Sequence, residues 1–231
     1  MRLHEPVAQA QSALARAAIM AEGAQADYGG TVRITASAVM SNYVLPRLLL
    51  PIRQRYPTIA IESVPSDSAG NLLLREADIA IRMFRPTQLE LISRHLGELP
   101  IVATAHQTYL EGRSMPRQPT DLYQHDLIGL DRSDLIIAHA RTRGLALSRE
   151  DFALRSDDQP HLWELVKAGL GIGFAQARLV RDTPGMLALP LDLAIPALPV
   201  WLTTHRELFT SHRIRAIYDA LAEGIATYIK G

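Results

Sequence analysis

The stretch Thr31 to Pro57, TVRITASAVMSNYVLPRLLLPIRQRYP, changes its apolar period, and that change constrains the fold. Val32, Ile34 and Ala36 alternate with Thr31, Arg33 and Thr35, the two-residue period of a strand. Val44, Leu45, Leu48, Leu49 and Ile52 then recur at helical spacing. Ile59, Ile61 and Val64 return to the strand period. A strand, a Ser/Asn-rich turn, a helix and a strand make a βαβ opening. It sets a helix N-terminus, with free N–H groups, above a strand's carboxyl end, a place suited to a small anionic ligand. Ser37 or Ser41 is expected to cap that helix. Pro51 removes one backbone bond and predicts a kink near Arg47.

The alternation continues along the chain, which implies a mostly parallel sheet with covered faces. Strands are predicted at 31–36, 59–64, 78–82 and 91–105. Beyond them come helices near 119–123 and 160–168 and strands near 126–130, 152–156, 171–175 and 198–204. A last helix from Ser211 places Ile214, Ile217, Tyr218, Leu221, Ile225 and Tyr228 on one face. Residues 5–26 read as an Ala-rich helix with a narrow stripe of Val7, Ala10, Leu14, Ala17 and Ala21. That stripe suits either an ordinary packed helix or a dimerisation helix.

Composition narrows the function classes. The 24 basic and 24 acidic residues give zero formal charge, whereas a dedicated nucleic-acid module is usually basic. There is no cysteine, hence no disulfide framework or thiolate metal site. No apolar run reaches the roughly twenty residues that span a bilayer. The N-terminal stretch lacks the apolar centre of a signal peptide, so the expected location is the cytoplasm, with no membrane partner.

No enzymatic constellation stands out. Gly169, Gly171 and Gly173 form G-x-G-x-G, but the segment follows a helix, and Phe174 stands where a dinucleotide fingerprint needs its third glycine. The structural reading is a left-handed helix stop at Gly169 with close packing at the other two. The eight histidines show no H-E-x-x-H pair. There is no G-x-S-x-G elbow and no P-loop. No cofactor or metal is expected.

Four further segments carry a family likeness. They are READIAIRM (Arg75–Met83), LISRHLGELPIVATAHQTYL (Leu91–Leu110), Pro119-Thr120-Asp121-Leu122 with His125-Asp126-Leu127-Ile128, and LWELVKAGLGIGFAQ (Leu162–Gln176). With the βαβ opening, their order and spacing resemble the effector-binding region of LysR-type transcriptional regulators, from Gly30 nearly to the end of the chain. The resemblance implies an α/β fold of two lobes joined by two crossing segments, similar to type II periplasmic binding proteins. It implies a linker or dimerisation helix at 1–28, a first lobe at 29–104 plus 205–231, and a second at 105–204. It also implies a small-molecule effector between the lobes, a homodimer or homotetramer, and DNA contact only through an N-terminal helix-turn-helix that this sequence does not show. A solute-binding protein of the same fold is the alternative, and an enzyme on that fold a more distant one.

The candidate ligand contacts are Ser37, Ala38, Ser41, Ser66, Asp67, Arg82, Thr104, Asp131, Phe174 and Thr203. For Ser37 and Ser41, with Asn42, the plain reading is helix capping, and the functional one is hydrogen bonding to an effector carboxylate. The polar turn Ser66-Asp67-Ser68 follows the second strand as a possible edge of the site, although its acid disfavours a purely anionic ligand there. Arg82 is either a solvated arginine, or a partner of Glu90, or a clamp for a carboxylate. Asp158, Gln159 and His161, with Pro160, open a second helix N-terminus. Trp163 reads as core, with a pocket wall as the other possibility.

Overall fold

The computed structural model describes residues 29–67 and 77–231. The helix expected at 5–26 and the last residue of the Ser66-Asp67-Ser68 turn lie outside the described residues. The chain divides into two compact units, one holding the residues up to Gly97 together with Pro199–Lys230, the other Glu98–Leu198.

The first unit is built on a five-stranded sheet. Its strands are β1 (Gly30–Ala36), β2 (Ile59–Pro65), β3 (Ile79–Arg82), β4 (Leu91–Leu99) and β10 (Leu198–His205). They lie in the order β2-β1-β3-β10-β4. β1 pairs in parallel with β2 and β3, with Ile34 opposite Ile79 and Thr35 opposite Ala80. β10 runs antiparallel to β3, placing Trp201 opposite Arg82 and Thr203 opposite Ala80. Side chains alternate across a sheet. One face therefore carries Val32, Ile34, Ala36, Ile79, Ile81, Val200 and Leu202, all fully buried. The other carries Thr35, Ala80, Arg82, Trp201 and Thr203.

The helix after β1 passes through a π turn at Met40–Val44 before continuing as α1 (Leu45–Arg55). Pro51 sits inside α1, and the irregularity lies upstream of the expected kink site, at the π turn. Such turns accommodate one extra residue per turn without ending the helix. The final helix, His212–Lys230, buries all six residues of its expected face. It packs on α1 and β1, and Tyr218 Oη donates to the Leu202 carbonyl at 3.0 Å. The Arg53 guanidinium donates to the carbonyls of Tyr56, Pro57 and Ile59 and ties the helix end to β2.

The single strand expected at 91–105 is two strands, β4 and β5 (Ile101–His106). Pro100, with no N–H for a ladder, separates them. In the second unit β5 lies between β8 (Gly173–Gln176) and β9 (Met186–Ala188), both antiparallel to it. β6 (Leu127–Gly129) and β7 (Phe152–Arg155) form a parallel pair. Leu127, Phe152, Tyr109, Ile137, Leu145 and Ile172 centre this unit's own core. The segment at 119–123 is a 3-10 turn, Pro119–Gln124, capped by Asp121, which accepts the backbone N–H groups of Arg117 and Gln118.

The G-x-G-x-G segment is structural. The helix Gln159–Lys167 ends in paired bonds from Gly169 N–H to the Val166 carbonyl (3.0 Å) and from Leu170 N–H to the Leu165 carbonyl (3.3 Å). This closure needs a left-handed residue, and Gly169 has φ +76°. A Cβ on Gly171 would stand 2.4 Å from the Asp126 carbonyl oxygen, and one on Gly173 2.4 Å from Val166.

Candidate ligand site

Five of the ten candidate residues gather at the carboxyl ends of β1 and β2. Ser37 ends β1's turn, and its hydroxyl accepts the Met40 N–H at a long 3.5 Å. Ser41 caps nothing: it lies one turn inside the helix, buried, and its hydroxyl donates to the Ala36 carbonyl at 3.2 Å. The Ala36 carbonyl also accepts the Ser66 N–H at 2.8 Å, so β2's exit is tied to β1's. Asp67 then reaches the helix start, where Oδ1 accepts the Ala38 N–H at 3.1 Å. A carboxylate of this chain thus holds the first free N–H of that helix, as the dipole favours.

Arg82 closes β3 beside this turn. It is 2% exposed, so it is not a solvated arginine. Nη2 donates to Thr35 Oγ1 at 3.1 Å and Nη1 to the Ile81 carbonyl at 3.2 Å. Nε is buried with no acceptor among the described residues. Burial pushes the guanidinium below its usual range, and the Asp67 carboxylate partly offsets this. A buried cation with a donor unanswered is costly. Thr203, on the same face, is fully buried and donates to Ser93 Oγ at 3.2 Å. Trp201, opposite Arg82, was not singled out from the sequence. Its indole Nε1 is also buried with no acceptor among the described residues.

The second-unit candidates are engaged internally. Thr104 is fully buried, and its hydroxyl donates to the Leu187 carbonyl at 2.9 Å, bracing β5 against β9. Asp131 pairs with Arg149 and, at 3.4 Å, with Arg155. Phe174 on β8 packs partly buried against the second core. Asp158 caps the helix Gln159–Lys167 by accepting the His161 N–H at 2.9 Å, and Trp163 is core. Among the described residues no group of His, Asp and Glu could hold a metal ion, and no helix is long and apolar enough to cross a membrane.

A parallel βαβ start, a sheet with one interior strand that returns from the far end of the sequence, and a second α/β unit inserted between define a known class. The family model of the LysR substrate binding domain matches residues 25–226, and the chain belongs to that family. Among curated relatives, the transcriptional activator AaeR of Escherichia coli is 33% identical over 96 residues, 42% of this chain and 31% of that protein. The transcriptional regulator PtxR of Pseudomonas aeruginosa is 24% identical over 211 residues, 86% of this chain and 65% of its own. This chain thus spans about a third of the length of the first of these relatives and under two thirds of the second. Among solved structures, the regulatory domain of CrgA from Neisseria meningitidis superposes with a TM-score of 0.74 at 22% identity, covering 84% of this chain and 98% of that one. The AmpR effector binding domain from Citrobacter freundii gives a TM-score of 0.68 at 18% identity, covering 86% and 98%. The fold is that of LysR effector-binding domains, the type II periplasmic-binding-protein-like class expected from the sequence.

Proposed function

We propose that this chain is the effector-sensing region of a LysR-type transcriptional regulator, and that its effector is a small anionic metabolite. The relatives' names support the regulatory role, and the family match supports the ligand-binding one. The observation that carries the anion is Arg82, a buried guanidinium whose Nε has no acceptor among the described residues. Ser37, Ser41, Ser66 and Asp67 form the polar rim beside it. A ligand regulates only by binding two arrangements of the protein with different affinity. Cytoplasmic location, assembly as a homodimer or homotetramer, and DNA contact through a helix-turn-helix outside residues 1–231 belong to the same reading. So does binding without turnover.

Melting the chain against a panel of small metabolic carboxylates tests this reading. A ligand at a hundred times its Kd adds about 2.7 kcal/mol, a Tm rise of about 5–10 °C for a chain of this size. Arg82→Ala is expected to cost about 1.5–3 kcal/mol of that binding, the worth of a charged hydrogen bond. Stabilisation only by cationic or neutral compounds would contradict the anionic effector, and turnover of the bound compound would contradict the sensor.

A further inference from the structure

A cavity of about 370 Å³ in the first unit is lined mainly by charged side chains. It lies between the end of α1 and the start of the final helix. Arg55 lines it from α1, and His212, Arg215, Asp219 and Glu223 line it from the final helix. All five are exposed. None forms an ion pair with any described residue, although Arg215 and Asp219 stand four apart on one helix. The two guanidiniums lie over rings instead, Arg55 over Tyr56 at 5.3 Å and Arg215 over Phe209 at 4.9 Å. A lone exposed charge is answered by water. What sets this stripe apart is that its signs are sorted. His212 and Arg215 come first, Asp219 and Glu223 follow, at steps of three or four residues along one face. The helix dipole favours the opposite order, yet the first turn carries no acid.

We infer that this stripe is a self-complementary docking surface for a second copy of this chain, with the two final helices antiparallel across it. The inference rests on the reading of the chain as a homo-oligomer and adds where one contact lies and which charges set its direction. An order of base, base, acid, acid becomes acid, acid, base, base when reversed. With a twofold axis level with Ile217, Arg215 of each copy faces Asp219 of the other, and His212 comes beside Glu223. Each contact is made twice, as twofold symmetry requires. A parallel, in-register pairing would set like charges together, so the sorted signs select against it. Antiparallel pairing also sets the two helix dipoles head to tail. Between the charges the cavity is lined by Ala216 and Ala220, whose short side chains leave room for those of the second copy. Arg55 adds a third base to the basic half. Exposed ion pairs are individually weak and screened by salt, so the contact is a weak, salt-sensitive one.

Sedimentation velocity of the full chain across a salt series tests this. A step of self-association is expected that weakens as salt rises. Arg215→Glu and Asp219→Arg are each expected to weaken that step at low salt by roughly tenfold or more, because each sets like charges opposite one another twice. Mixed in equal amounts, the two variants are expected to recover it, since all the acids of one then face all the bases of the other. The double variant Arg215→Glu/Asp219→Arg is expected to recover it unmixed. Recovery in the mixture also shows that both single variants are folded. Absence of a salt-sensitive step, single variants that associate like the parent chain, or a loss that neither the mixture nor the double variant recovers overturns the surface. If the chain assembles but the variants leave assembly unchanged, the surface fails while the homo-oligomer stands. If the intact chain stays a monomer at high micromolar concentration and low salt, both fail.

Discussion

Asp78 and Arg82 bracket the short strand Ile79–Arg82, and burial acts on both. For Arg82 the consequence is an unanswered donor. For Asp78 it is a carboxyl that titrates above the ordinary 3.8, because desolvation outweighs the Arg33 N–H bond (2.7 Å) and the nearby charges of Arg213 and Arg33. Between 3.8 and the folded value, the native chain holds a proton that the unfolded chain has released. The stability this confers is complete below the unfolded value and is lost as pH rises through the folded one. At neutral pH the ionised Asp78 is therefore a net cost. Asp78→Asn keeps an oxygen for the Arg33 N–H and removes the charge. It is expected to raise the urea midpoint at neutral pH, with the gain shrinking as pH falls through the folded value and gone below 3.8. A loss of stability at neutral pH would mean that attraction to Arg213 and Arg33 outweighs desolvation.

At the scale of elements, three glycines separate backbone strain from crowding. Gly144 and Gly169 share a left-handed φ, +77° and +76°, but a Cβ on Gly144 meets nothing within 4 Å, whereas one on Gly169 meets Thr108 Oγ1 at 2.7 Å. Gly171 has no such φ, yet its Cβ would meet the Asp126 backbone oxygen at 2.4 Å. Gly144→Ala is expected to cost about 1 kcal/mol from conformation alone. Gly169→Ala should cost somewhat more, since a hydroxyl can rotate aside. Gly171→Ala should cost most, on the order of 2–3 kcal/mol, because a backbone carbonyl must move. Denaturant midpoints with unchanged slopes would read this order, and a Gly144 variant as weak as the Gly171 variant would refute it. The helix stop at Gly169 was legible because glycine after an apolar helical run has few other uses. The short helix Leu135–Thr142 was not, since Asp134 before it makes no side-chain cap bond. Nor was β9, whose three residues carry too little period to read. Arg82 was legible as a strand end but not as a buried group, because only the register puts Trp201 across from it and Thr35 beside it. Thr104 and Asp131 look polar and available in sequence, yet the fold gives each a partner of its own.

The whole molecule shows why segment order alone said so much about the fold. Strand and helix periods are local, and the β1–α1–β2 opening matches its pattern almost residue for residue. The sheet order is not local: β10 enters from the far end of the chain and sits between β3 and β4. The first unit is thus made from two separated segments, and without β10 its sheet breaks into β2-β1-β3 and a lone β4. It would also lose the final helix, whose buried face covers α1 and β1. The second unit is one continuous run, Glu98–Leu198, with its own core around Leu127, Phe152 and Ile172. All the strands that β5 pairs with lie inside that run, so cutting there breaks none of its ladders. A run of this length is within the ordinary size of a domain that folds alone. Residues 98–198 expressed alone are therefore expected to give a dispersed amide spectrum and a cooperative melt. Residues 1–97 alone are expected to give neither, because hydrophobic strand faces without the β10 strand and the covering helix cannot offset the entropy of ordering them. A folded 1–97, or an unfolded 98–198, would show that the stabilising contacts are shared out differently from the division at Gly97 and Pro199.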